Sequence, residues 1–94
     1  MEIAKTILNQ LGGNKFAFAT GSKNFVSDNK SLTFKLSMNR SKGRYMKITL
    51  NGNDLYDIKV LNLKGKVIVE KNDICVENLQ YTFTEITGLI INIF

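Results

Sequence analysis

The feature that most constrains this chain is strict two-residue alternation of apolar and polar side chains over its middle third. Leu32, Phe34 and Leu36 alternate with Thr33 and Lys35. Met46, Ile48 and Leu50 alternate with Tyr45, Lys47 and Thr49, and Tyr56, Ile58 and Val60 with Leu55, Asp57, Lys59 and Leu61. Successive side chains of a strand point to opposite faces, so each run fits a strand with one face in a core. Strands are predicted over 31–37, 44–50 and 54–63, with a short one over 66–70. Asn51-Gly52-Asn53 joins two of them as a hairpin, because Asn-Gly accepts the positive φ angles of a tight turn. The chain contains no proline, so turns fall to Gly, Asn, Asp and Ser. Residues 15–20 also alternate, Phe16 and Phe18 against Ala17 and Ala19, and are expected to form a further strand. Residues 21–30 read as a polar loop in which Phe25 and Val26 pair or pack. Residues 38–43 read as a basic loop.

Two segments carry helical periodicity. Ile3, Ile7, Leu8 and Leu11 line one stripe over residues 2–11, with Glu2 in the first turn and Gly12-Gly13 as the stop. Val76, Leu79, Phe83 and Ile86 line another over 73–87, capped by Asn72 or Asp73 and ended by Gly88. The apolar tail 89–94 fits either a last strand or a segment buried against the sheet. The order α-β-β-β-β-β-α predicts a single α+β domain, residues 1–94, in two layers. It has an N-terminal helix, an antiparallel sheet of about five strands and a C-terminal helix. The helices are expected to cover the face bearing Phe16, Phe18, Phe34, Leu36, Ile48, Ile58 and Val60. The other face is left to water or a partner.

Side-chain chemistry narrows the function. Histidine is absent and Cys75 is the only cysteine. The usual proton shuttle, the serine and cysteine triads and the common zinc sites are therefore missing. Asp54 and Asp57 fall on opposite faces of a strand and make poor partners for a metal or a shared proton. Cys75 near a helix start would have a lowered pKa, but the more ordinary reading is a half-buried packing residue. The sequence thus leads to a protein that acts by binding, with no cofactor, metal or catalytic residue. The N-terminus has no signal-peptide pattern, and no apolar run approaches the roughly 20 residues of a membrane span. A cytoplasmic protein that does not contact membrane is expected.

Charge points to the kind of partner. Residues 1–66 carry 12 Lys/Arg against 4 Asp/Glu, a balance of +8, within an overall net charge of +5. An anionic partner suits that asymmetry, although a merely solvated surface would look the same. Lys35, Lys47 and Lys59 fall on the polar face of three successive strands, flanked by Thr33, Thr49 and Tyr45. Such a stripe can hold phosphates, and an aromatic there can stack a base. The densest cluster, Arg40-Ser41-Lys42-Gly43-Arg44, suits a phosphate contact because arginine offers a planar fork and glycine lets the backbone approach. The glycine segments Leu11-Gly12-Gly13-Asn14-Lys15 and Thr20-Gly21-Ser22-Lys23 lack the strand-to-helix context and spacing of a P-loop. The expected partner-binding set is Lys35, Lys47, Lys59, Arg40, Lys42, Arg44 and Tyr45.

Several segments together carry a resemblance: residues 7–16 (ILNQLGGNKF), 20–25 (TGSKNF), 31–36 (SLTFKL), 47–51 (KITLN) and 83–89 (FTEITGL). Over most of its length the chain resembles a family of short uncharacterised proteins of bacteriophages and other mobile elements. Members usually end in a polar tail soon after the Thr-Gly-Leu segment, whereas Ile90–Phe94 is apolar here. The resemblance transfers no site residue. It implies a bacterial host cell and an accessory protein that occupies a surface on host machinery, as anti-CRISPR inhibitors do. The expected partner is then a host protein or ribonucleoprotein complex. The rival class is a sequence-tolerant binder of single-stranded nucleic acid, and a third is an interaction subunit that works as a homo-oligomer.

Overall fold

A computed structural model describes residues 2–91. It begins with α1 (Glu2–Leu11) and α2 (Asn14–Thr20) and continues into β1 (Lys23–Ser27), β2 (Ser31–Lys35), β3 (Tyr45–Leu50), β4 (Tyr56–Leu61) and β5 (Val67–Ile74). A single 3₁₀ turn (Val76–Asn78) leads into α3 (Leu79–Thr87). The five strands form one antiparallel meander in chain order. The fold is α+β, as the alternation and the two helical stripes require.

The alternation places the core. Leu32, Phe34, Leu36, Met46, Ile48, Tyr56, Ile58 and Val60 are all buried on one face. Ala4, Ile7 and Leu11 of α1, and Leu79, Phe83 and Ile86 of α3, are buried with them. Four phenylalanines tie the layers together. Phe16 meets Phe34 and Phe83 edge-on at 5.5 and 5.0 Å between ring centres, and Phe25 lies 5.3 Å from Phe34.

Residues 15–20 depart from expectation. They form α2, a helix, where alternation predicts a strand. Alanines at 17 and 19 are the best helix formers, and none of residues 14–19 is β-branched. The buried residues are Phe16 and Thr20, four apart, a helical spacing. Thr20 Oγ1 donates to Phe16 O at 2.7 Å, and Gly21 closes the helix in the left-handed conformation at φ 71°. Phe18 therefore turns away from the core and is 86% exposed. The sheet keeps five strands because Lys23–Ser27, expected to be loop, pairs with β2 through a bulge at which Asn24 takes φ 58°.

The C-terminal helix starts later than its periodicity predicts. Residues 71–74 extend β5 alongside β4, with Tyr56 opposite Ile74. Asp73 does not cap a helix. Its amide donates to Asp57 Oδ1 at 3.0 Å, and its carboxylate accepts from Asn51 Nδ2 at 2.8 Å, which closes the end of the sheet. Val76 is exposed rather than part of the buried stripe, and Cys75 is exposed rather than packed. After Gly88 the chain forms no strand through residue 91. Ile91 is buried and lies beside Gly12. Residues 92–94 of the predicted tail segment lie outside the described residues.

Candidate functional site: the basic end of the sheet

The face of the sheet opposite the helices carries the polar half of each alternation. Register arranges it in rows across the strands. Val26, Thr33, Lys47, Lys59 and Glu70 form the central row. Lys23, Lys35, Tyr45, Leu61 and Val67 form the next row toward one end. Lys47 and Lys59 are thus directly opposite, and Lys35 is diagonal to Lys47, one row away.

The central row is close to electrically balanced. Lys47 Nζ approaches Asp28 Oδ2 at 3.9 Å, the one ion pair within 4 Å among the described residues. Lys59 stands across from Glu70. Asp28 is well placed for that partner, since it is held ionised below the ordinary carboxylate range. The Ser31 hydroxyl contributes most and the Lys30 amide next, with Lys47 adding a smaller pull. The pair is exposed, so it is worth little by itself. Its effect is to remove positive charge from the middle of the face.

Positive charge gathers instead at one end. Strand entry at β1, the β2–β3 loop and the β4–β5 turn all lie at the Lys35–Tyr45–Leu61 end, because these residues face one another across β2, β3 and β4. Lys23, Lys35, Arg40, Lys42, Arg44, Lys64 and Lys66 are therefore neighbours in the fold though dispersed over 44 positions of sequence (23 to 66). The other end holds the β1–β2 turn and the β3–β4 hairpin, joined where Leu50 N donates to Lys30 O at 2.9 Å. Asp28, Asp54, Asp57 and Asp73 are there, with Lys30 the one cation of those two turns. Charge is segregated along the strand direction.

The β2–β3 loop is built by its own side chains. Asn39 Nδ2 donates to Ser37 O at 2.7 Å and Gly43 O at 3.1 Å, while its Oδ1 accepts from the Ser41 amide at 3.0 Å and the Ser41 hydroxyl. Ser41 Oγ in turn accepts from Gly43 N at 3.0 Å. Gly43 is buried against β4: a Cβ there would sit 2.1 Å from Val60 Cγ1. Arg40 is drawn away from the open face. Its Nη2 donates to Glu85 O at 2.5 Å and its amide to Thr87 O at 3.0 Å, so it caps the C-terminal carbonyls of α3.

The structure thus brings Lys35, Lys42, Arg44 and Tyr45 to one end, leaves Lys47 and Lys59 in the central row, and assigns Arg40 a contact with α3. Sequence reasoning missed Lys23, because residues 21–30 read as loop. Phe25 points inward and by simple alternation would carry Lys23 to the core face; the bulge at Asn24 is what sets Lys23 opposite Lys35, and no sequence period announces it. Among the described residues no group of three His, Cys, Asp or Glu is placed to hold a metal, and no helix is long and apolar enough to cross a membrane.

The fold and this surface define an α+β domain with a charge-segregated open sheet. No family model, curated protein or solved structure matches the chain.

Proposed function

We propose that this is a small non-enzymatic accessory protein of a bacteriophage or other mobile element, which inhibits a host defence nuclease complex by binding it, as anti-CRISPR proteins do. The observation that carries the reading is the segregation of charge. A cationic end drawn from three separate connections, with the acids of the sheet turns at the opposite end, orients the molecule toward a polyanion. A basic protein does not imitate DNA. It grips a nucleoprotein complex by the phosphates that complex exposes, and the rest of the 94-residue body then covers the surface beside them. The resemblance to phage and mobile-element proteins supports the setting, a bacterial host cytoplasm.

The test is affinity capture from host lysate with and without nuclease treatment, followed by a DNA-cleavage assay on the recovered complex with added protein. Recovery of nuclease subunits, with cleavage falling as protein is added, is the expected result. Nucleic acid alone, lost on nuclease treatment, would sink the inhibitor reading.

One observation favours the second reading, a sequence-tolerant binder of single-stranded nucleic acid. Tyr45 is half-buried on the open face directly opposite Lys35, an arrangement able to stack a base beside a phosphate contact.

A further inference from the structure

We propose that the hollow bounded by Leu36, Ser37, Met38, Asn39, Lys42 and Arg44 is a phosphate-binding subsite. Its volume is about 330 Å³, room for a phosphate group and several waters. Both of its charged lining residues are cationic, and neither is within 4 Å of a carboxylate among the described residues. Lysine supplies a point charge and arginine a planar pair of donors, a combination suited to tetrahedral oxyanions.

The frame of the hollow is already set. Asn39 uses both ends of its amide within the loop, Ser41 closes onto Gly43, and Gly43 rests on Val60. Arg40 pins the outer side to α3. A ligand therefore meets cations whose backbone needs little further ordering, which is where affinity for a small anion is usually lost. Lys42 adds a second indication. It holds φ at 64°, a left-handed conformation that Gly and Asn adopt more readily than a lysine. A connection required only to turn is better served by either of those residues. The strain here places a cation at the rim.

That the phosphate belongs to nucleic acid rests on the proposed function; the subsite itself does not. The test is a titration of the ¹⁵N-labelled full chain with inorganic phosphate at constant ionic strength, followed by amide resonances. Saturable shifts confined to residues 36–44 are expected. Lys42→Gln with Arg44→Gln should weaken binding roughly tenfold or more, the loss of two charge-assisted contacts at a solvated site. Gly43→Ala keeps both cations but displaces the frame, and should also weaken it. Lys5→Gln with Lys71→Gln, two exposed cations outside this end of the sheet, should leave the phosphate titration unchanged. Small, unsaturating shifts spread over all the lysine-bearing segments, or an unaltered titration of the Lys42/Arg44 variant, would overturn the proposal. A hydroxyl-terminated oligothymidylate that shifts the same amides assigns the site to backbone diesters; failure to do so, where inorganic phosphate succeeds, assigns it to free or terminal phosphate. Either result supports the subsite and separates its sources. If phosphate fails here while the nuclease complex is still captured, the subsite falls and the proposed function stands. If phosphate titrates and no complex is captured, the reverse holds.

Discussion

Truncating Phe16 and Phe18 separately tests how residues 14–20 fold. In a strand these two side chains share a face, so Phe16→Ala and Phe18→Ala would cost similar amounts. In α2 they are about 200° apart by the helical repeat of 3.6 residues. Phe16 is fully buried and packs edge-on against Phe34 and Phe83. Removing a buried phenylalanine costs about 3–5 kcal/mol, and each aromatic pair adds about 0.5–1.5 kcal/mol beyond area burial. The expected loss for Phe16→Ala is therefore about 4–5 kcal/mol. That is between about a third and all of the roughly 5–14 kcal/mol available to a domain this size. At about 4–8 °C per kcal/mol, the midpoint should drop by roughly 16–40 °C or the variant should not fold. Phe18 is 86% exposed, and its truncation should change stability by no more than about 0.5 kcal/mol. Urea unfolding followed by far-ultraviolet circular dichroism measures both. Equal losses, or a Phe16→Ala loss below about 1.5 kcal/mol, would refute the helical assignment and the core drawn from it.

Asn51→Ala should destabilise by about 2–3 kcal/mol in the same assay, because the side chain accepts from Asn53 N and Leu55 N and donates to both Asp57 and Asp73. Asp28 is held below its ordinary value of 3.8, so the stability it contributes is present above that value and lost as pH falls through the lowered pKa. Asp28→Asn should accordingly flatten the acid limb of the stability profile and leave its shape at high pH unchanged; an identical acid limb would count against the turn geometry. Lys23→Gln with Lys35→Gln should lower affinity for single-stranded DNA, if that is bound, and flatten the slope of log K against log salt by about 1–1.5, as two phosphate contacts require. An unchanged slope would remove this row from the binding surface.

Four of the five strands were legible in the sequence: Leu32–Leu36, Tyr45–Leu50 and Tyr56–Leu61 alternate without interruption, a sustained period of two that suits a half-buried strand and no helix, and the short strand over 66–70 is the first half of β5. α2 was not. Four residues of alternation, Phe16 to Ala19, sit equally well on one turn of helix, and the preceding Gly12-Gly13 marks a break without fixing the conformation of the next segment. β1 was hidden because only Phe25 points inward, too little for a periodicity. The start of α3 was misplaced because Asn72 and Asp73 are good caps in isolation, and the contacts that claim Asp73 come from Asn51 and Asp57, distant in sequence. The basic loop could be located by composition alone. That it joins Lys23, Lys64 and Lys66 could not, since register decides which connections share an end of the sheet.

The sheet edges bear on the mode of binding that the proposed function would use. An edge strand offers unpaired amides and carbonyls to any extended segment, and a bulge that twists the edge blunts that offer. Both edges here are interrupted. β1 shifts register between Lys23 and Val26, with Asn24 in the left-handed region. β5 shifts twice, near Val67 and again near Asp73, whose φ is 58°. Only Val69–Lys71 runs in unbroken register with β4. Strand addition, whether by a second copy or by a peptide, therefore finds about three regular residues on an edge, too few to align a stable ladder of the usual five or six. The open face and the basic end carry no such obstacle. Their rows are continuous from β2 through β4, their cations come from separate connections of the chain, and the β2–β3 loop is fixed at both α3 and β4. Recognition through side chains on that end is the route the backbone leaves open.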